Sequence, residues 1–194
     1  NGRSRGLGDV YKRQIISVTN PSQLLETLKF LCVVGAPKGK QVVGFTCSGG
    51  GATMLADHAE KIDLTFPEFK STQQTELSAL LPDIATVSNP LDYTTPIWGH
   101  AEMTYPVFAK AISAIEADTA VLVQDYPAAE IDSSKVYYIN DAIAFAQASK
   151  EQSLPAIICA TLPENMDLET RQLLITKGVA PMQGIHEALN AIRD

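Results

Sequence analysis

The apolar residues of this chain recur with two alternating spacings along its length. Short continuous apolar runs are typical of strands covered on both faces of a sheet. Between these runs, apolar residues recur every three or four positions, as on one face of a helix. The predicted strands are 41–46, 84–87, 119–124 and 156–160, and the predicted helices are 23–34, 52–61, 72–81, 103–115, 133–149, 168–177 and 185–192.

The first predicted helix has an apolar face and a candidate capping residue. Leu24, Leu25, Leu28 and Leu31 recur at helical spacing and share one side of the helix. Ser22 stands directly before the periodic region, where a serine side chain can cap the helix.

Alternation of strands and helices predicts an α/β fold. Strands separated by helices are joined by right-handed crossovers, which give a parallel sheet with helices on both sides. We therefore predict a flavodoxin-like doubly wound parallel sheet in a three-layer α/β/α arrangement. Its ligands should bind beyond the carboxyl ends of the strands.

The first fourteen residues differ from the rest, because they are basic, glycine-rich and without apolar periodicity. Their end, 9–14, resembles a translated sequencing-library transposon end, of the kind found in metagenomic assemblies. We interpret 1–14 as a sequencing or cloning scar, which makes 15–194 one domain and a fragment of a larger chain. The alternative is a basic arm for nucleic acid or membrane.

Composition narrows the class of protein. The chain has 194 residues, of which 45% are hydrophobic and 19% charged, and its net charge is −7. An acidic domain without a basic stripe is a poor nucleic-acid binder. No apolar run approaches the length of a membrane span, and no signal peptide is visible. We expect a cytoplasmic protein with neither nucleic-acid nor membrane partners.

The three cysteines, Cys32, Cys47 and Cys159, lie in apolar sequence. Their odd number and surroundings predict buried, reduced thiols instead of disulfides or metal ligands. No cluster with metal-ligand spacing is present, so we predict no metal site.

The segment after the first predicted strand is the strongest candidate site. Three glycines lie between that strand and a helix, so free backbone N–H groups should collect at a positive helix end. Such a place suits phosphate or carboxylate, although a tight turn that binds nothing has the same sequence. The candidate anion-binding residues are Ser48, Gly49, Gly50, Gly51, Ala52 and Thr53.

Polar residues also follow the other predicted strands. Asn89 and Asp92 flank Pro90, which restricts the backbone and would hold both side chains in place. Asp125 and Glu164 follow the third and fourth strands. We expect these four residues to line the site, although Asn89 and Asp92 equally suit a turn that caps its own backbone.

An ordered set of motifs resembles a known family. The set comprises Thr-Cys-Ser-Gly-Gly-Gly-Ala at 46–52, Leu-Leu-Pro at 80–82, Asn-Pro-Leu-Asp at 89–92, Gly-Val-Ala-Pro at 178–181 and Glu-Ala-Leu at 187–189. In this order it resembles the NDP-forming acyl-CoA synthetases, the acetate–CoA ligase group of the succinyl-CoA ligase superfamily. The chain is most similar to their second flavodoxin-like ligase domain.

This resemblance implies one part of a divided ligase. The family converts an acid, CoA and ATP to acyl-CoA, ADP and phosphate through an acyl phosphate and a phosphohistidine. By analogy, the turn 48–53 would clamp the phosphoryl group. ATP or ADP, Mg and CoA would be bound by the full enzyme and none by this domain alone. CoA-binding, phosphohistidine-bearing and ATP-grasp domains would be its partners, on the same chain or on other subunits.

The chain departs from the family at its histidines. The family's phosphohistidine segment, of the type Ser-His-Thr-Gly, is absent, and His58, His100 and His186 stand in other contexts. His58 reads as a partly buried helix residue and His186 as a surface residue, while His100 lies near the predicted site. We therefore predict no catalytic residue in this fragment and no activity of the fragment alone.

Two other functions stay open at this stage. One is a stand-alone phosphate- or nucleotide-binding module of the same fold. The other is a different flavodoxin-like enzyme that uses Asp125 or Glu164 for acid–base chemistry, since such sheets support many reactions.

Overall fold

The structure, a computed structural model, describes residues 16–128 and 132–194. The predicted scar, 1–14, therefore lies outside the described residues. One five-stranded sheet is built from β1 (Val42–Thr46), β2 (Leu91–Asp92), β3 (Thr119–Val123), β4 (Ala156–Ala160) and β5 (Ala180–Gln183). All its pairings are parallel, and the strand order is β2-β1-β3-β4-β5. This is the flavodoxin-like order, which confirms the predicted fold.

Helices cover both faces of the sheet. In chain order they are α1 (Pro21–Val34), α2 (Gly49–Lys61), α3 (Ser71–Ser78), α4 (Ala101–Ala114), α5 (Lys135–Glu151), α6 (Leu168–Thr176) and α7 (Ile185–Arg193), with a short 3-10 turn at Pro163–Asn165. One hydrophobic core joins the sheet to α1, α2 and α7, and a second core joins its other face to α3–α6. Every residue of β1, β3 and β4 is buried, as their continuous apolar sequence predicts.

Two strands differ from the prediction. Residues 84–87 are not a strand, and Ile84 is 73% exposed. The place beside β1 is taken instead by β2, whose Leu91 pairs with Phe45. The fifth strand was not predicted because it is short and contains Pro181. A proline is tolerated there because β5 is an edge strand, paired only with β4.

The first helix also differs from the prediction in its cap. Asn20, not Ser22, is the N-cap, and its side chain accepts a hydrogen bond of 2.8 Å from Gln23 N. The leucine face is turned outward: Leu24, Leu25 and Leu28 are all exposed. The buried positions are Gln23, Glu26, Thr27 and Phe30.

None of the helices in the described part of the chain is long and apolar enough to cross a membrane.

Candidate functional site

The helix that follows β1 starts three residues earlier than predicted. Ser48, and not a residue near Ala52, is the N-cap of α2, and its side chain accepts a hydrogen bond of 3.2 Å from Gly51 N. Ser48 N donates to Thr46 Oγ1 at 3.3 Å, which fixes the turn against the end of β1. The three glycines therefore form the first turn of α2. The N–H groups of Gly49 and Gly50 have no partner within the helix, as at any helix N-terminus.

Gly50 and Gly51 lie in different surroundings. A Cβ on Gly51 would lie too close to Thr46 Oγ1, at 2.4 Å, whereas a Cβ on Gly50 would meet no atom within 4 Å. Close packing against Thr46 therefore explains why position 51 is a glycine. Gly50 faces open space, so it is the glycine at which a ligand could approach the backbone closely.

A cavity of about 390 Å³, here called the α2 cavity, opens beside this turn. It lies at the carboxyl ends of β1, β3 and β4, where the fold class predicts a ligand site. Its lining residues are Thr46, Cys47, Ser48, Gly50, Gly51, Met54, Val123, Gln124, Asp125, Tyr138 and Thr161. A larger cavity, of about 520 Å³, lies between α5 and α6, away from the predicted residues.

The remaining residues of the predicted turn lie just outside this lining. Gly49 faces Asp92, whose Oδ2 would be 3.7 Å from a Cβ at Gly49. Thr53 turns its hydroxyl back to the Gly49 carbonyl, at 3.0 Å. Ala52 is half-buried in the first turn of α2, and its N–H donates to Ser48 O at 3.2 Å.

Asp125 lines the α2 cavity but is already occupied by hydrogen bonds. It accepts from Thr161 N at 2.8 Å, from Thr161 Oγ1 at 2.7 Å and from Asn165 Nδ2 at 3.0 Å. These bonds tie the end of β3 to the segment after β4. Asp125 therefore shapes the wall of the cavity, and both of its oxygens accept hydrogen bonds from within the protein.

The other predicted lining residues lie at different distances from the cavity. Asp92 stays beside the α2 N-terminus and accepts a hydrogen bond of 2.9 Å from Thr94 N, the turn-capping arrangement considered for this segment. Asn89 is not in the cavity lining, because its amide bonds Gly44 N at 2.9 Å and the carbonyls of Val42 and Pro67. Glu164 is exposed in the 3-10 turn and also lies outside the lining.

The electrostatics of the α2 cavity are negative on balance. Its lining contains no lysine, arginine or histidine among the described residues. Burial raises the pKa of Cys47 to about 11, and the nearby Asp141, Asp92 and Asp125 carboxylates add to the rise. The Cys47 thiol is therefore protonated at neutral pH, and among the described lining residues the positive potential comes from the helix end.

Gln124, Tyr138 and Cys47 line the cavity, although none of the three was predicted as a site residue. Gln124 is buried at the end of β3, where its Oε1 accepts a hydrogen bond of 2.9 Å from Tyr126. The sequence feature that could have identified Gln124 as a lining residue is its position directly before Asp125. Tyr138 comes from α5, and no local pattern connects that helix with the turn after β1.

A buried carboxylate, Asp141, lies behind the cavity. It accepts hydrogen bonds from the Tyr93 hydroxyl at 2.9 Å, from Gly99 N at 3.0 Å and from Thr104 Oγ1 at 3.0 Å. Burial raises its pKa, although these three donors oppose the rise. Asp141 thus holds the segment after β2 against α4 and α5.

His58 and His186 are placed as their sequence contexts predict, whereas His100 lies outside the candidate site. His58 is partly buried on α2 and packs against the exposed His186 of α7, with ring centroids 3.4 Å apart. Burial lowers the pKa of His58, and the neighbouring His186 and Lys61 lower it further. His100 is an exposed residue at the start of α4, outside the α2 cavity. None of the three lines the candidate site.

The thiols and carboxylates form no metal centre in the structure. Across 16–128 and 132–194, no group of three histidine, cysteine, aspartate or glutamate residues is arranged to hold a metal ion. All three cysteines are free, but of the three predicted buried thiols only Cys159 is buried, since Cys47 is half-buried and Cys32 is exposed. Cys32 lies on the outward face of α1.

The known proteins that resemble this chain resemble it in structure alone. No protein-family model and no curated protein matches the chain. The crystal structure of PH0766 from Pyrococcus horikoshii OT3 is similar with a TM-score of 0.78 at 19% identity, over 99% of this chain and 43% of that one. A dinucleotide-forming acetyl-coenzyme A synthetase 1 from Ca. Korarchaeum cryptofilum, in complex with phosphate and ADP, has a TM-score of 0.70 at 17% identity. Its apo form has a TM-score of 0.69 at 17% identity.

The aligned region is nearly all of this chain but only part of each related chain. The chain aligns over 91% of its own length with both forms of the synthetase but spans only 36% and 37% of theirs. It therefore corresponds to well under half of each of these larger proteins. The TM-scores establish that the fold is shared, and at identities below a fifth the likeness shows the fold alone.

Proposed function

We propose that this chain is a domain of an NDP-forming acyl-CoA ligase and that the N-terminus of α2 holds a phosphoryl group during the reaction. The observation that carries the proposal is the open approach to Gly50, where no atom would lie within 4 Å of an added Cβ. Backbone N–H groups at a helix N-terminus stabilise a phosphoryl group without contributing a reacting atom.

The shape and coverage of the structural relatives support this assignment. One relative is an acetyl-coenzyme A synthetase with phosphate and ADP bound, and this chain matches about a third of it. CoA-binding, phosphohistidine-bearing and ATP-grasp domains would supply the remaining chemistry, with ATP or ADP, Mg and CoA bound there.

The acidic surroundings suit a phosphoryl group that arrives attached to a protein side chain. Asp92 and Asp125 lie near the α2 N-terminus and would weaken, without abolishing, the binding of a free phosphate ion. A phosphohistidine carried by another domain is presented at high effective concentration, so a weak helix-end interaction is sufficient. Ser48 keeps the first turn of α2 fixed, while Asp125 holds the opposite wall.

A titration with inorganic phosphate, monitored by NMR through the amide resonance of Gly50, tests the clamp directly. The wild-type chain should show a saturable shift of this resonance, and Gly50→Val should weaken phosphate binding because its side chain fills the approach. Ala56→Val is the matched control, since Ala56 is exposed on the same helix and outside the cavity lining. Equal phosphate affinity in folded Gly50→Val and wild type would contradict the clamp.

The ligase assignment has a separate test in the DNA that flanks the coding sequence. Open reading frames for phosphohistidine and ATP-grasp domains would allow reconstitution of acyl-CoA synthesis from the separate parts. The chain alone should be inactive, and the reconstituted enzyme should lose activity on Gly50→Val. Turnover by the chain alone would contradict this role. Phosphate binding without neighbouring ligase domains would favour a stand-alone phosphate-binding module.

A further inference from the structure

A second group of polar side chains lies at the carboxyl end of β5, outside the α2 cavity. This group, the β5 cluster, comprises Glu26, Lys29, Arg171 and Gln183. Glu26 accepts a hydrogen bond of 2.8 Å from Gln183 N and forms a salt bridge of 2.8 Å with Lys29. The Gln183 side chain accepts from Arg171 Nη1 at 3.0 Å. Residues from α1, α6 and β5 are thus joined in one network.

The positive charge of this cluster is only partly balanced. Glu26 compensates Lys29, whereas Arg171 meets two neutral acceptors, Gln183 Oε1 and the Asp167 carbonyl at 3.4 Å. Within the described residues Arg171 forms no salt bridge, although the chain as a whole has a net charge of −7. Burial lowers the pKa of Lys29, and the charge of Arg171 contributes to that effect.

We propose that the β5 cluster binds a singly charged oxyanion, a carboxylate or one face of a phosphoryl group, with Arg171 as the principal contact. A guanidinium group is planar and presents paired donors that match such oxygens; since Nε and Nη1 of Arg171 each make one bond within the protein, Nη2 and the second Nη1 hydrogen are the pair left for an oxyanion. Gln183 is a positioning residue, because its side chain orients the Arg171 guanidinium and its backbone N–H holds Glu26.

The β5 cluster is separate from the α2 cavity, although both lie at the carboxyl edge of the sheet. The α2 N-terminus follows β1, three places from β5 in the sheet and roughly 14 Å away, whereas the cavity wall at Thr161 follows β4, the neighbour of β5. Anion binding at the β5 cluster is therefore independent of the ligase role proposed for the α2 cavity.

Titration of the ¹⁵N-labelled chain with sodium acetate and with sodium phosphate, at constant ionic strength, tests this site. The Arg171 Nε–H resonance should shift saturably. Arg171→Gln should weaken the affinity measured on neighbouring amides by about tenfold or more, because a charged hydrogen-bonding group is lost. Arg193→Gln is the matched control: Arg193 pairs with Asp194, and its removal should change the affinity less than about twofold.

The outcomes separate the two anion sites. No saturable shift of Arg171 with either salt would overturn the β5 site, and so would unchanged affinity in folded Arg171→Gln. A shift at Gly50 alone would overturn the β5 site and support the α2 clamp. A shift at Arg171 alone would support the β5 site and overturn the α2 clamp. Saturation by only acetate or only phosphate would identify which oxyanion the cluster accepts.

Discussion

Gly51 packs directly against Thr46, so that a Cβ on the glycine would lie 2.4 Å from the threonine hydroxyl oxygen. The same hydroxyl oxygen accepts the hydrogen bond from Ser48 N that fixes the turn between β1 and α2. Thr46 is buried at the end of β1 and cannot easily move away. The geometry of the candidate site thus depends on a contact that only glycine permits.

Gly51→Ala should destabilise the protein, whereas Gly50→Ala should not. The new methyl group at Gly51 would displace the Thr46 side chain and cost about 1–3 kcal/mol of unfolding free energy, as overpacking usually does. Alanine at Gly50 meets open space and keeps or slightly raises stability. Urea unfolding of both variants measures the difference. Equal stabilities would show that Thr46 can yield without cost.

Asn89→Ala should act on stability and leave phosphate binding unchanged in whatever fraction stays folded. The substitution removes hydrogen bonds to Gly44 N, Val42 O and Pro67 O, with an expected loss of about 2–4 kcal/mol. Ser88→Ala, which removes one bond to the Pro90 carbonyl from an exposed residue, serves as the control. A stable Asn89→Ala variant with impaired phosphate binding would show that Asn89 contributes to the anion site, as the sequence predicts.

The strands that the sequence predicted correctly are those whose information is local. Strands β1, β3 and β4 are buried throughout, so their own apolar runs identify them. Strands β2 and β5 have two and four residues, and their positions depend on neighbours that only the folded sheet supplies.

Distant contacts decide which face of α1 is buried. Glu26 bonds Gln183, 157 positions away, and Gln23 bonds Asp194, 171 positions away. Helical spacing identified the leucine face but could not show that polar partners would hold the opposite face inward. The turn at Ser48 could be predicted because it depends on residues adjacent in the sequence. The contribution of Tyr138 to the cavity could not, because it depends on a distant helix packing beside that turn.

Among the three thiols, Cys32 should react fastest with a disulfide reagent such as DTNB. Cys32 is exposed, whereas burial raises the pKa of Cys47 to about 11 and encloses Cys159 in the core. Reaction requires an accessible thiolate. The native chain should therefore titrate one rapid thiol, which Cys32→Ser removes and Cys47→Ser does not. Three rapid thiols before denaturant is added would show that the core opens readily.

Asp141 should make the stability of the protein depend on pH in the weakly acidic range. Burial raises its pKa in the folded state above the ordinary 3.8, so the folded protein retains this proton to higher pH than the unfolded chain does. The stabilisation from that proton is complete below the unfolded-state pKa and is lost as pH rises through the folded-state pKa. Asp141→Asn cannot lose the proton. The advantage of wild type over Asp141→Asn should therefore shrink as pH rises from about 4 towards neutrality.

Urea unfolding of wild type and Asp141→Asn at several pH values measures this difference while cancelling carboxylates common to both. Asp57→Asn is the matched control, because Asp57 is exposed on α2 and its substitution should give a curve parallel to wild type. An advantage that grows with pH would mean that the donors from Tyr93, Gly99 and Thr104 favour the carboxylate more than burial opposes it. The sign of the pH dependence therefore decides whether desolvation or hydrogen bonding governs this buried acid behind the cavity.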